Sequence, residues 1–355
     1  MSDLSVKIEV VEGDVLKFAA DVLALKYAGH YYGSDAAVST FLVDKGAATQ
    51  DSLKPNPGEH AWVNSHRVLS SKRVLFVGVP PLIRFGYAEI EEWVSQVLSI
   101  TEREFPYAAH IAITLHGPGY GLDEIEALHA ELRGIDRAIE SGDVPRDLRM
   151  ISIVERYLAR VDRLNAALAE VLPPANRVRP AGTPVPRLVH RRTFKLPRVH
   201  VAEEPETEEL NSATEELPSA EQVEHKPRAF VAMPFSPEME DVFYYGIQNP
   251  VRQLGYICER VDQEAFTGDI LDQVKMRIEN AEIVFADLTG ANPNVYLEVG
   301  YAWGRGRPTV LVANKNDELR FDVRGQRCLK YQSIKDLEKT LTDELKSLGT
   351  KRAGT

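Results

Sequence analysis

The stretch from Pro173 to Pro227 limits what this chain can fold into more than any other feature, because no apolar periodicity runs through it and proline is frequent. Its first half is basic, with Arg177, Arg179, Arg187, Arg191, Arg192, Lys195 and Arg198 and no carboxylate among them. Its second half is acidic, with Glu203, Glu204, Glu206, Glu208, Glu209, Glu215, Glu216, Glu221 and Glu224. Such a segment cannot bury enough apolar surface to offset its ordering entropy, so it reads as a linker over 173–227. The alternative is that the basic half docks on an acidic neighbour with Phe194 as anchor. Either way the chain divides into 1–172 and 228–350.

Both flanks alternate strand and helix patterns. On the N-terminal side, Val6–Val11, Val22–Tyr27, Arg73–Val79, His110–Leu115 and Arg149–Val154 read as strands, and Ile90–Phe105, Asp123–Glu140 and Glu155–Val171 as helices. On the C-terminal side, Ala229–Met233, Tyr256–Val261, Ile283–Leu288 and Thr309–Ala313 read as four parallel strands. Pro237–Leu254, Asp269–Asn280, Asn294–Gly304 and about Ile334–Leu348 read as helices. This order predicts two α/β domains, each a largely parallel sheet with helices on both faces.

Composition excludes several classes. With 53 Asp+Glu against 42 Lys+Arg, the net charge of −11 argues against direct nucleic-acid binding. No window approaches the ~20 apolar residues of a membrane span. The N-terminus lacks a basic region followed by an apolar one, so a cytoplasmic protein is expected. Cys258 and Cys328, the two cysteines, give neither a disulfide framework nor zinc-type spacing, and no metal is expected. Cys258 reads as a buried small apolar residue.

Ligands of open α/β sheets sit outside the carboxyl ends of the strands. In the C-terminal half those ends carry Met233-Pro234-Phe235, then Arg260 and Asp262, then Asp287 followed by Asn292-Pro293-Asn294 and a helix with Glu298. Asn292 or Asn294 fits the N-cap, because Pro293 tolerates the first helical positions. Glu298 lies among Val295, Leu297, Val299, Gly300 and Ala302. A carboxylate in such a setting either pairs with a cation such as Arg305 or is placed in a pocket, where it suits cleavage of an N-glycosidic bond. Asp287 is either a ligand contact or a cap on the next turn. Arg260 and Asp262 are either ligand contacts or an internal ion pair.

The blocks RAFVAMPFSPEMEDVF, GYICERVD and AEIVFADLTGANPNVYLEVGYAWGRGRPTVLV, in that order over about Arg228 to Tyr331, resemble the nucleoside 2-deoxyribosyltransferase superfamily, and especially its TIR-like branch in bacterial anti-phage defence. The resemblance implies a flavodoxin-like fold and cleavage of a ribosyl N-glycosidic bond. It implies that Glu298 is catalytic, that Asp287 and Asn294 line the ribose side, and that Met233, Pro234 and Phe235 shape the base pocket. No P-loop or Gly-rich dinucleotide fingerprint is present, so NAD would be a substrate and not a cofactor.

In the N-terminal half, the strand–turn–strand from Val11 to Leu25 with Gly13-Asp14, the segment with Gly33 and Ser34, and the loop His116-Gly117-Pro118-Gly119-Tyr120-Gly121 resemble macro domains, more closely the macro-like domain of leucyl aminopeptidases. The Asn-Ala-Ala-Asn segment of ribose-binding macro domains is replaced by Leu25-Lys26-Tyr27-Ala28. The resemblance implies a nucleotide-binding or regulatory module in which Asp14 contacts an adenine and Gly117–Gly121 a phosphate. The competing expectation is that these glycines only make turns, that Asp14 caps locally and that His116 is a satisfied loop histidine.

Together these expectations describe a homo-oligomeric defence effector that hydrolyses the nicotinamide–ribose bond of NAD under control of a nucleotide signal. The alternatives are a nucleoside or nucleotide N-glycosidase or deoxyribosyltransferase, and a non-enzymatic nucleotide sensor.

Overall fold

The computed structural model describes residues 4–172, 190–194, 226–261 and 270–352. Packing divides the chain into two units, Met1–Gly117 with Glu124–Ala220, and Pro118–Asp123 with Glu221–Thr355. Each is α/β.

In the first unit the strands are β1 (Leu4–Glu12), β2 (Val22–Tyr27), β3 (His60–Asn64), β4 (Arg73–Gly78), β5 (His110–Ile113), β6 (Met150–Glu155) and β7 (His190–Phe194). They form one sheet in the order β3-β4-β2-β5-β6-β1-β7. The inner strands β4, β2, β5, β6 and β1 are parallel, whereas β3 and β7 add antiparallel edges. The strand β7 lies inside the stretch expected as a linker and pairs Leu4 with Phe194 through Ile8 with His190; the rest of that stretch, 173–189 and 195–225, is outside the described residues. Four helices join the strands, namely α1 (Gly33–Asp44), α2 (Tyr87–Glu104), α3 (Glu124–Ser141) and α4 (Leu158–Val171).

Helix α2 shows why the sequence folds this way. Ile90, Trp93, Val94, Val97, Leu98 and Thr101 recur at helical spacing and are all buried. Glu89 reaches back to accept the Gly86 backbone N–H at 2.8 Å, which closes the first turn. Against α2 lies α3, so close that a Cβ on Gly134 would stand 2.4 Å from the Glu91 carbonyl oxygen. Arg133 donates to the Glu91 carboxylate at 3.0 Å across the same contact.

In the second unit β8 (Arg228–Ala232), β9 (Ile257–Glu259), β10 (Ile283–Asp287), β11 (Thr309–Asn314) and β12 (Cys328–Tyr331) form a parallel sheet in the order β12-β11-β10-β8-β9. In order along the unit this is 2-1-3-4-5, the flavodoxin-like arrangement. The fifth strand, β12, adds to the four read from the sequence. Both faces are covered, which is why the strands read as continuous apolar runs. Ala229, Val231, Ile283 and Phe285 pack on one side with Leu337, Leu341 and Leu345 of α9 (Ile334–Arg352). Phe230, Ala232, Val284 and Ala286 pack on the other with Val274 and Ile278 of α7 (Ile270–Asn280) and Val295, Val299 and Ala302 of α8 (Pro293–Gly304).

The helix expected over Pro237–Leu254 is broken into α5 (Pro237–Asp241), a π-helical stretch Val242–Gln248, and α6 (Asn249–Gln253). Pro250 has no N–H to give the Gly246 carbonyl, and its ring crowds that carbonyl, so the α pattern cannot continue there.

One buried ion pair organises the carboxyl end of β2. Lys26 donates to Asp35 of α1 at 2.6 Å, and the two side chains are 6% and 4% exposed. Removing one partner of a buried pair costs about 3–5 kcal/mol, since the other charge stays buried. Asp35→Ala is therefore expected to destabilise the first unit by about that amount in urea denaturation; a loss under ~1 kcal/mol, the level of an exposed pair, would contradict the assignment.

Candidate functional site

The order 2-1-3-4-5 reverses direction between β8 and β10, and the crevice outside their carboxyl ends is where this topology places ligands. Helix α8 leaves the end of β10 and packs across β8, β10 and β11. Asn292 is its N-cap, with the side-chain oxygen accepting the Asn294 N–H at 2.9 Å, which decides between the two asparagines; Asn294 sits exposed in the first turn.

Glu298 occupies a singular place on α8. Val295, Val299 and Ala302 form the buried stripe, and Glu298 stands three residues after the first and four before the last, within the same stripe. It is the helix's one charged residue. Its carboxylate makes no hydrogen bond or ion pair with the described residues, and burial alone pushes its pKa up to about 7. Arg305, the cation expected to pair with it, binds Glu279 of α7 at 2.9 Å instead. Tyr301 also donates to Glu279. Glu298 is thus a half-buried carboxyl, unpaired among the described residues, on the helix that follows β10, close to equally protonated and ionised at neutral pH.

Asp287 has a different setting. It is 0% exposed. One carboxylate oxygen accepts the Thr289 N–H at 2.9 Å and the other the Tyr331 hydroxyl at 2.9 Å. Burial raises its pKa while these bonds oppose the rise. The turn it caps contains two left-handed residues, Gly290 at φ 71° and Ala291 at φ 51°.

At the end of β8, Met233 is buried, with Pro234 and Phe235 half-buried after it. Arg260, following β9, stacks its guanidinium on Phe235 at 4.8 Å and Phe243 at 4.1 Å. It donates to Glu240 at 2.8 Å. Among the described residues its ion-pair partner is Glu240; Asp262, the other candidate partner, lies outside the described residues. Cys258 is buried in the apolar cluster beneath, where burial pushes its thiol pKa well up.

The first unit places its candidate residues less convergently. Gly13 is there for space, since a Cβ would meet Val154 at 3.1 Å and Phe18 at 3.3 Å. Asp14 accepts the Leu16 N–H at 3.0 Å, a local cap. Gly33 and Ser34 open α1. Gly117 has φ 119° and Gly121 φ 99°, and Gly119, Tyr120 and Gly121 group with the second unit by packing. His116 is 2% exposed, with its ring 4.2 Å from that of Trp93. Burial, with Lys26 adding to it, holds its pKa well below the usual imidazole value.

Sequence reasoning missed the charges gathered around His116. Glu131 of α3 is 0% exposed and accepts the His116 backbone N–H at 3.1 Å. Lys26 and Asp35 form the buried pair described above. The available signal was Lys26 itself, a lysine closing the otherwise apolar run VLALK. Among the described residues no group of three His, Cys, Asp or Glu could hold a metal. No helix among them is long and apolar enough to cross a membrane.

No family model and no curated protein sequence matches the chain. Solved structures similar to it include a mutant macrodomain from Oceanobacillus iheyensis, with 15% identity, TM-score 0.38, and coverage of 47% of this chain and 96% of that one. A Trypanosoma brucei macrodomain in complex with ADP-ribose has 17% identity, TM-score 0.37, and coverage of 45% and 68%. The Clostridium botulinum CMP N-glycosidase has 16% identity, TM-score 0.27, and coverage of 32% and 97%. What the chain does has to come from its own residues.

The raised Glu298 pKa has a stability consequence with a fixed sign. The folded state favours the neutral carboxyl, so ionisation opposes folding above the ordinary pKa of 4.5 and increasingly towards about 7. Glu298→Gln is expected to stabilise the chain by about 2 kcal/mol at pH 8, allowing for partial exposure, and by roughly nothing at pH 4. Thermal melts at the two pH values check this, and equal effects at both would contradict the buried setting.

Proposed function

We propose that the second unit cleaves the N-glycosidic bond of a ribosyl nucleotide, with NAD as substrate and Glu298 as the catalytic carboxylate. The observation that carries this is the carboxyl on the apolar stripe of α8, unpaired among the described residues, on a helix that packs across β8, β10 and β11. A carboxylate free of cations and poor in water is suited to stabilise an oxocarbenium-like centre. As the C1′–N bond breaks, its electron pair leaves with nicotinamide, which is neutral once released and needs no proton. The positive charge that develops at C1′ faces the Glu298 carboxylate. Water adds at C1′ and passes a proton to Glu298. Met233, Pro234 and the Arg260-backed ring of Phe235 form the base side of the crevice, with Asn292 and Asn294 at the helix end.

A second reading follows from the pKa of Glu298. Close to half protonated at neutrality, it is equally suited to donate a proton to a departing nucleobase that leaves poorly as an anion. The substrate would then be a nucleoside or nucleotide with a neutral base, and the reaction hydrolysis or base exchange. The two readings give opposite pH profiles. Loss of nicotinamide requires the ionised carboxylate, so kcat/KM rises through about pH 7 to a plateau. Departure of a neutral base requires the protonated one, so kcat/KM falls through the same value.

The first unit we read as a nucleotide-sensing or assembly module that gates this activity, and the whole as a cytoplasmic homo-oligomeric effector of anti-phage defence. The sequence resemblances support that reading.

The test is chromatography of NAD, nucleosides and nucleotides incubated with the purified chain between pH 5.5 and 8.5, with and without nucleotide signals. Nicotinamide or base release by wild type, reduced at least ~10³-fold in Glu298→Gln, is the expected result. Equal turnover by the folded variant would overturn the assignment of Glu298. Ligand binding without turnover under any condition would favour a non-enzymatic sensor.

A further inference from the structure

The turn between β10 and α8 is held from several sides. Its hydrogen bonds run as a chain, with the Asn314 N–H donating to Thr289 Oγ1 at 3.0 Å, Thr289 Oγ1 to the Tyr331 hydroxyl at 3.1 Å, and Tyr331 to Asp287 at 2.9 Å. Because Tyr331 donates to the carboxylate, the Thr289 hydroxyl is the donor to Tyr331. The other Asp287 oxygen returns to the Thr289 N–H. From the β11–β12 loop, Asp317 accepts the Gly290 N–H at 2.9 Å. Lys330 in turn donates to the Asp317 carbonyl at 2.6 Å. The Arg320 guanidinium packs over the Tyr296 ring at 5.7 Å, one turn into α8.

The backbone of this turn also departs from ordinary conformations. Ala291 at φ 51° is left-handed despite its side chain, directly after left-handed Gly290 and directly before the N-cap. Residues persist in such conformations only where their surroundings over-determine them. Asp287 is 0% exposed with both oxygens engaged, one by the turn's Thr289 N–H and the other by Tyr331.

We propose that Tyr331, through Asp287 and Thr289, and Asp317, through Gly290, are positioning residues that clamp the left-handed turn and thereby fix how deep Glu298 sits at the sheet's switch point. The proposal rests on Glu298 being the functional carboxylate and assigns Asp287 away from the ribose contact that the resemblance implies. Loosening either clamp lets the first turns of α8 tilt and opens Glu298 to water. The neighbouring elements carry Arg228 on β8, Asp287 on β10, Asp272, Lys275, Arg277 and Glu279 on α7, and Lys315, Asp317, Glu318, Arg320, Asp322, Arg324 and Arg327 in the β11–β12 loop. None of them contributes to the raised pKa of Glu298, which burial alone produces, so that pKa reports depth directly.

The experiment is a carbon-13 NMR titration of the Glu298 carboxyl in the full chain, its resonance identified by loss in Glu298→Gln. Tyr331→Phe removes the hydroxyl at the centre of the chain. Asp317→Ala removes an acceptor at a less buried position, and Asp317→Asn keeps one. The Glu298 midpoint is expected near pH 7 in wild type and Asp317→Asn, and at least one pH unit lower in Tyr331→Phe and Asp317→Ala. In turnover, the two loosened variants are expected to lose about tenfold in kcat with KM changed less than twofold. An unchanged Glu298 midpoint in an Asp317→Ala chain shown by its thermal melt to unfold cooperatively would overturn the proposal, as would a raised KM with kcat intact. Absence of turnover in wild type would overturn the cleavage reading alone, because the titration measures the clamp without it.

Discussion

The second unit is set apart by the desolvation of one carboxyl group. Glu298 is built into a helix stripe that otherwise holds Val295, Val299 and Ala302, and among the described residues no cation compensates it. Burying an ionisable group in this way works against folding, and sequences tolerate it chiefly where the altered protonation is useful. The surroundings fit that view. Arg305 is near enough in sequence to neutralise Glu298, yet it is held by Glu279. Arg260 is near the same end of the sheet, yet it is stacked on Phe235 and Phe243 and paired with Glu240. Both cations are tied elsewhere, and Glu298 keeps its raised pKa.

The first unit buries charge in a different manner. Lys26 and Asp35 neutralise one another at 2.6 Å, while His116 and Glu131 lie in the same interior with their pKa values pushed towards their neutral forms by burial. Burial raises Glu131, with the His116 N–H and Lys26 opposing it. The Lys26–Asp35 pair ties β2 to α1, and the His116 N–H donated to Glu131 ties the segment after β5 to α3. Glu131 is fully buried and accepts a backbone N–H, whereas Glu298 is half-buried and accepts no hydrogen bond among the described residues.

Much of the fold was legible because both sheets are buried on two faces. The runs VLALKY, RVLFVG and IVFAD are continuous apolar segments, and the structure turns each into a strand within a residue or so of the expected limits. The short edge strands β3, β7 and β12 were not legible, since an edge strand of four or five residues with mixed polarity carries little period-2 signal. The π stretch at Val242–Gln248 was hidden because its apolar spacing resembles an ordinary helix, and only Pro250 marks the break. In the site, Glu298 stood out as a charge within an apolar helix pattern. Asp287 was legible as a cap on the next turn, but its second partner Tyr331, and the partners Phe235, Glu240 and Phe243 of Arg260, were not, because they lie far along the chain.

The most direct test of the central claim follows the oxygen atom. The chain is incubated with NAD, and separately with nucleosides, in water enriched in oxygen-18, and the products are weighed by mass spectrometry. Glu298-dependent N-glycosidic hydrolysis predicts an unlabelled base and a ribosyl product carrying one heavy oxygen at C1′, absent with Glu298→Gln. Label found on phosphorus, or a labelled ribosyl product formed equally by the folded variant, would contradict it.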